Sequence, residues 1–146
     1  MPDLWPDDIA NINIRSPLSV LKEQASLLGD RTANVVQGLV TTTDKRQPIW
    51  AREDDQFIHT FWIASPALND YQYRLFDISH TIELYPVTFD LGEKLGADVI
   101  PTIARFVSKG AIIARNEEEF VEILKAIFTS KRSRDIIQAL LAQFIT

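Results

Sequence analysis

The chain has 146 residues, carries 15 basic and 20 acidic side chains for a formal net charge of -5, and contains no cysteine. Its length favours a single domain, and a hydrophobic content of 46% is ample for one core. The missing cysteine excludes disulfides, thiolate metal sites, iron–sulfur clusters and cysteine nucleophiles, and we expect a cytoplasmic location. The acidic balance argues against a nucleic-acid partner, because phosphate binding needs a basic surface.

Residues 1–15 are predicted to form an irregular arm ahead of a single α+β domain at residues 16–146. The arm contains two prolines and several Asp and Asn residues, a composition typical of irregular structure. It carries no basic leader, so we expect no secretory signal. No apolar stretch approaches the roughly 20 residues that a membrane span needs, so we expect no membrane partner. The arm nevertheless has apolar side chains able to dock on the domain: Leu4, Trp5, Ile9, Ile12 and Ile14.

The first helix is predicted to begin at Pro17, with Ser16 as its N-cap, and to end at Gly29. Apolar residues recur along it at intervals of three and four, which predicts one buried stripe: Leu18, Leu21, Ala25 and Leu28.

Alternating residues of high strand propensity predict an antiparallel meander after this helix. The predicted strands cover residues 34–42, 56–64, 71–78 and 81–89. Residues 43–55 are predicted to form a long polar loop or hairpin tip. The turn at 66–70 is too short for a parallel crossover, so its two strands are antiparallel. Pro86 favours a sheet edge or a bulge for the last strand.

Residues 90–114 have the weakest secondary-structure pattern in the sequence. A short helix is predicted at 91–95. Residues 103–107 and 111–114 form either a short hairpin around Lys109 and Gly110 or irregular packing segments. Asn116 and Glu119 approximate a capping box, which predicts a helix beginning at Glu117. A second amphipathic helix follows a break at 129–133.

The predicted fold class is therefore α+β, with an N-terminal helix, an antiparallel meander of three to five strands and two C-terminal helices packed on one sheet face. The basic residues Lys131, Arg132 and Arg134 are placed at the junction of the two C-terminal helices. There we expect them to meet the negative end of the preceding helix rather than to bind a nucleic acid.

Few residues are candidates for catalysis or metal binding, because the chain has only two histidines and no cysteine. His80 lies near Asp77, Glu83 and Tyr85, which together are the candidates for a small pocket. In a regular strand, however, Asp77 and His80 point to opposite faces. His59 alternates with phenylalanines and is predicted to be a core or interface residue. We predict no metal and no cofactor, and neither a nucleophile elbow nor a phosphate-binding loop is present.

The most unusual feature is a concentration of aromatic residues in the central strands: Phe57, Phe61, Trp62, Tyr71, Tyr73, Phe76, Tyr85 and Phe89. They form a core if both sheet faces are covered, and they include an interaction face if the helices cover only one. The predicted binding residues are Trp62, Tyr73, Arg74 and Trp50, because Trp, Tyr and Arg are favoured at binding hot spots.

The predicted function is non-enzymatic protein binding, immunity- or adaptor-like, with another protein or a second copy as partner. The order of elements resembles that of small bacterial domains, including immunity proteins that bind and block toxins. That resemblance covers architecture only. One alternative is a small enzyme or ligand-binding protein with a pocket near Asp77, His80, Glu83 and Tyr85. Another is a structural or regulatory subunit whose C-terminal helices pack on a larger partner.

Overall fold

A computed structural model describes residues 1–43, 50–52 and 54–144, so the predicted loop at 43–55 lies largely outside the described residues. Within them the helices are α1 (Pro17–Arg31), α2 (Gly92–Val99), α3 (Glu117–Phe128) and α4 (Lys131–Ala142). The strands are β1 (Gln37–Thr43), β2 (Phe57–Ser65), β3 (Tyr71–His80), β4 (Val87–Asp90), β5 (Val107–Ser108) and β6 (Ala111–Ala114). A short 3-10 helix, Ala104–Phe106, leads into β5.

The strands form one antiparallel sheet in the order β1-β2-β3-β4-β6-β5. The predicted α+β class, with its N-terminal helix, meander and two C-terminal helices, is confirmed. The described sheet has six strands rather than three to five, because the hairpin of β5 and β6 adds two short strands beside β4. Its turn residues Lys109 and Gly110 both have positive φ, at 51° and 80°, as a tight two-residue hairpin turn requires.

Helix α1 begins as predicted, since the Ser16 hydroxyl accepts a hydrogen bond from the Ser19 backbone N–H at 3.0 Å. Its predicted end at Gly29 is wrong, because the helix continues to Arg31. Gly29 is instead a residue of the last turn, and its carbonyl accepts hydrogen bonds from the Thr32 and Asn34 N–H groups at 3.2 and 2.8 Å.

Backbone conformation explains two other boundaries that the sequence pattern misplaced. Strand β1 begins at Gln37 and not at residue 34, since Ala33 and Asn34 have positive φ of 50° and 63° in the preceding turn. Strand β4 begins only at Val87. Pro86 therefore precedes the strand, and the expectation of an edge strand is wrong, because β4 lies between β3 and β6.

The described helices lie on one face of the sheet. Helix α1 approaches β1 so closely that a β-carbon at Gly38 would lie 2.4 Å from the Ala25 Cα atom. At the end of α3, the Phe128 ring packs on Phe61 and Phe76, with centroids 5.1 and 6.0 Å apart. Helix α2 contacts both α3 and α4 on the same side. The buried hydrophobic cluster therefore fills the space between this face and the helices.

The capping box of α3 is confirmed. The Asn116 side-chain oxygen accepts from the Glu119 N–H, and the Glu119 carboxylate accepts from the Arg115 N–H, each at 2.9 Å. The basic cluster begins at the junction of α3 and α4, as predicted, and lies at the start of α4. Lys131 pairs with Asp135 and Arg132 with Tyr73. None of the described helices combines the length and apolar character needed to cross a lipid bilayer.

Candidate binding face

The strand register assigns each strand residue to one face of the sheet, since successive side chains point in opposite directions. Trp62 lies opposite Arg74 across β2 and β3, and opposite Leu39 across β1 and β2. These three residues therefore share a face, and it is the face opposite the helices. We call its solvent-accessible part the open sheet face, formed by Leu39, Thr41, Thr60, Trp62 and Arg74.

Trp62 is held in place on the open sheet face. Its indole N–H donates a hydrogen bond of 2.9 Å to the Thr41 hydroxyl on the neighbouring strand. The ring is half-buried, and Leu39 beside it is 38% exposed. An oriented aromatic ring and an exposed aliphatic side chain thus form a small apolar surface.

Arg74 binds two carboxylates at the border of this surface. Its Nε donates to Asp77 at 3.1 Å, and its Nη2 donates to Asp77 and to Asp90, the latter at 3.2 Å. The hydrogen bond to Asp77 is the largest cause of the raised pKa of Arg74. Asp77 and Asp90 lie opposite each other across β3 and β4. One guanidinium is therefore shared by two adjacent carboxylates, and the three groups together keep one net negative charge.

The end of the sheet near Ser79 is covered on this same face. Asp55 is buried, and its carboxylate accepts hydrogen bonds from the Ser79 hydroxyl at 2.6 Å and from the Arg52 backbone N–H at 3.2 Å. Ile58, opposite Ser79, is buried as well. The open sheet face is consequently confined to the part around Trp62 and Arg74.

A bulge in β3 brings Trp62 and Arg74 together. Phe61 pairs with Phe76, but Trp62 pairs with Arg74, so Leu75 is an extra residue on β3. Strict alternation of the sequence would place Arg74 and Phe76 on one face, whereas the bulge moves them to opposite faces. The sequence pattern contains no signal for this shift.

Tyr73, another predicted binding residue, lies on the other face of the sheet. Tyr73 is opposite Ile63 on the helix-covered face. Its hydroxyl accepts a hydrogen bond from Arg132 at 2.9 Å, and that guanidinium lies 5.7 Å from the ring centroid. Trp50 is half-buried in the described segment 50–52. The structure therefore brings Trp62 and Arg74 together and separates Tyr73 from them.

Most of the aromatic residues in the central strands belong to the core. Phe61, Phe76 and Phe89 are buried on the helix-covered side, where Phe61 and Phe76 stack with centroids 5.6 Å apart. Tyr85 packs edge-on against Phe120 of α3. Among the strand residues that the structure describes, Trp62 is the aromatic residue on the open sheet face.

The four candidates for a small pocket do not converge. Asp77 pairs with Arg74 on one side of the sheet, while His80 lies on the other. Glu83 is exposed in the turn before β4, and the Tyr85 hydroxyl donates to the Arg15 carbonyl at 3.0 Å. Burial is the main reason that the pKa of Tyr85 is raised to about 12. Within the described ranges, no three His, Cys, Asp or Glu side chains could hold a metal ion.

A pair of buried histidines occupies the helix-covered side instead. The Nε2 atoms of His59 and His80 lie 2.9 Å apart. His59 Nδ1 lies 2.8 Å from the Thr42 hydroxyl, and His80 Nδ1 lies 2.7 Å from the Thr81 carbonyl oxygen. Burial is the largest cause of a lowered pKa for both histidines. For His59, burial together with the charges of His80 and Lys22 lowers the pKa to about 4.

The Thr81 carbonyl can only accept a hydrogen bond. It therefore sets the direction of each hydrogen bond in the series Thr81–His80–His59–Thr42. His80 Nδ1 therefore donates, and in the neutral ring its Nε2 accepts from His59 Nε2–H. His59 Nδ1 then accepts from the Thr42 hydroxyl. The burial of His59 agrees with its predicted core role, but sequence reasoning missed the pair because it ended the third strand at residue 78, before His80.

Comparison with protein-family models, with curated proteins and with solved structures found no match to this chain. Its function has to be inferred from the geometry of the open sheet face and of the groups around it.

Proposed function

We propose that this chain is a non-enzymatic protein-binding module, immunity- or adaptor-like, that binds its partner through the open sheet face in the cytoplasm. The observation that carries the proposal is the direct pairing of Trp62 with Arg74 on a face without a helix. Trp and Arg are the residue types most enriched at binding hot spots. The partner is another protein or a second copy of this chain.

The charges around Arg74 indicate what the partner presents. Because Arg74 is shared by Asp77 and Asp90, an incoming anion would meet a net negative group, whereas a basic side chain would be attracted. An apolar side chain beside that base would contact Trp62 and Leu39. A complementary partner surface thus combines one Lys or Arg with a neighbouring apolar residue.

The fixed geometry of Trp62 supports binding as its role. The hydrogen bond to Thr41 orients the ring before a partner arrives, so less side-chain entropy is lost on association. Catalysis near Asp77, His80, Glu83 and Tyr85 has less support, since these groups lie on different sides of the sheet and each of Asp77, His80 and Tyr85 already has an internal partner.

Two truncations on the open sheet face test the proposal, Trp62→Thr and Leu39→Thr. Ile82→Thr is the matched control, since Ile82 is 71% exposed in the turn before β4 and lies outside the open sheet face. Proteins captured from host cells by each immobilised variant are quantified by mass spectrometry, and the affinity of a captured partner is then measured by titration. Self-association is followed by light scattering.

We expect a partner that binds the wild type and Ile82→Thr equally, and that binds both open-face variants at least about ten-fold more weakly, a difference of 1.4 kcal/mol. A partner that binds all variants alike would contradict the proposal. So would a wild type that captures nothing and whose self-association, if any, is the same in both open-face variants.

A further inference from the structure

Residues 2–14, which we call the apolar arm, expose five large apolar side chains. Their exposed fractions range from 58% to 86%: Leu4, Trp5, Ile9, Ile12 and Ile14. The arm contains local turns, with hydrogen bonds from the Ile9 N–H to Pro6 and from the Asn11 N–H to Asp8. Apolar side chains exposed together in this way mark a segment that docks on another surface.

An apolar groove runs along α1, on the side where α1 faces α3 and α4. One end is a cavity of about 500 Å³ whose lining includes Phe61, Ile63 and Ile137. The other end is a cavity of about 350 Å³ that begins beside Arg15. The two cavities share Gln24, Phe128 and Thr129 in their linings. They are therefore neighbours along α1, and we call the two together the α1 groove.

The arm and the groove have opposite charges. The apolar arm contains Asp3, Asp7 and Asp8 and no basic residue. The charged residues that line the α1 groove are all basic: Arg15, Arg31 and Lys125. Within the described part of the chain, neither Arg31 nor Lys125 forms an ion pair. The arm and the groove are thus both apolar and carry opposite charges, so their surfaces are complementary.

The arm does not enter the groove of its own chain, since residues 1–14 are exposed. Ser16 is extended, with φ -69° and ψ 154°, and the Arg15 carbonyl is held by the Tyr85 hydroxyl. Because the groove begins beside Arg15 and follows α1, the arm would have to reverse direction at Ser16 to enter it. Extended, the arm reaches up to about 45 Å, which is enough to cross to a neighbouring molecule.

We propose that two copies of this chain form a dimer by exchanging arms, so that the apolar arm of each copy lies in the α1 groove of the other. The exchange is reciprocal, and it closes the assembly as a two-fold dimer rather than an open chain of molecules. The arm aspartates then approach Arg31 and Lys125. The α1 groove lies on the helix-covered side of the sheet, so this dimer does not use the open sheet face.

Engineered cysteines test the exchange directly, since the chain has none of its own. One chain carries Ile12→Cys in the arm, and a second chain, distinguished by a size tag, carries Ile137→Cys in the groove. Both are mixed and treated with a bis-maleimide. We expect a cross-linked product that contains one chain of each size. The matched control replaces Ile137→Cys with Ile82→Cys, at a 71% exposed position outside the groove lining.

A single chain that carries both Ile12→Cys and Ile137→Cys distinguishes exchange from docking on its own groove. Exchange gives a cross-linked dimer, whereas self-docking gives an internally linked monomer and would overturn the proposal. Linkage no greater than in the Ile82→Cys control would overturn it as well.

Light scattering provides a second measurement on chains whose folding is checked by circular dichroism. Leu27 lines the groove and is 43% exposed, so Leu27→Asp leaves the core intact. We expect Leu27→Asp and deletion of residues 2–14 each to weaken the dimer at least about ten-fold. Trp62→Thr, on the open sheet face, should leave the dimer unchanged. A monomeric wild type, or a dimer that survives both groove and arm variants, refutes arm exchange.

Discussion

His59 and His80 share a hydrogen bond of 2.9 Å between their Nε2 atoms, at a site where the two side chains are only 3% and 4% exposed. In the neutral state every ring nitrogen of the pair has a partner. A proton added to the pair places a charge in a buried site, and Lys22 adds a repulsive positive charge from α1. Full protonation would leave two N–H groups facing each other. The pair therefore favours the neutral form of both rings.

This preference makes stability depend on pH. The pKa of His59 is lowered from 6.5 to about 4 in the folded chain, so between these values the unfolded chain binds more protons. The free energy of unfolding therefore falls as the pH falls from 6.5 to 4, and the contribution of His59 is complete above pH 6.5. We expect His59 to account for a loss of about 2–3 kcal/mol, at about 1.4 kcal/mol per pH unit.

Urea unfolding at several pH values between 7 and 4 measures this loss. His59→Gln is the control, because its amide can donate to His80 but does not titrate. The variant should retain less of the pH dependence than the wild type. Identical slopes for the two proteins would contradict the assigned role of His59.

Arg74 should stabilise the fold by separating two facing carboxylates. In Arg74→Ala, Asp77 and Asp90 remain opposite each other without their shared cation, and like charges directly opposite in a sheet destabilise it. Because the Arg74 side chain is 48% exposed, solvent screening limits the expected loss to about 1 kcal/mol. Asp90→Asn should be destabilising in the wild type and stabilising in Arg74→Ala. Equal effects of Asp90→Asn in the two backgrounds, measured by denaturant unfolding, would show that the charges do not interact.

Gly38 and Gly96 form a matched pair for a steric prediction. A β-carbon at Gly38 would lie 2.4 Å from the Ala25 Cα atom, so Gly38→Ala forces α1 away from β1 and should cost about 1–3 kcal/mol. At Gly96 the nearest atom would be the flexible end of Ile100 at 3.4 Å. Gly96→Ala should therefore stabilise α2 by about 0.5–1 kcal/mol. Thermal and urea unfolding compare the two variants, and a tolerated Gly38→Ala would disprove the close contact.

The Asn116 cap should contribute measurably to α3. Asn116→Ala removes the acceptor for the Glu119 N–H, so we expect a loss of about 1 kcal/mol in the free energy of unfolding. Asn116→Asp keeps the acceptor and adds a favourable charge at the positive end of the helix. It should match the wild type or exceed it. An alanine variant as stable as the aspartate variant would rule out the cap as a source of stability.

Local structures that depend on a few neighbouring residues were predicted correctly from the sequence. Asn116 and Glu119 are three positions apart, and the hairpin around Lys109 and Gly110 is a single turn, so neighbouring residues alone determine these structures. Pro86 was misjudged because whether a strand lies at an edge depends on which strands pair beside it. Gly29 was misjudged because α1 continues to Arg31, and a glycine in the last turn of a helix gives the same local signal as one just past its end.

The sequence by itself determined the order of the elements, the caps and the presence of one apolar face, because these depend on residue spacing along the chain. Only the tertiary structure decided which side chains meet. A bulge of one residue at Leu75 places Arg74 beside Trp62, and the pairing of β2 with β3 brings His59 to His80. Both outcomes depend on strand register, which distant segments set together and no local pattern encodes. The net charge of -5 likewise does not say where the charges lie. Only the tertiary structure shows that the arm is acidic and that the charged residues lining the α1 groove are basic.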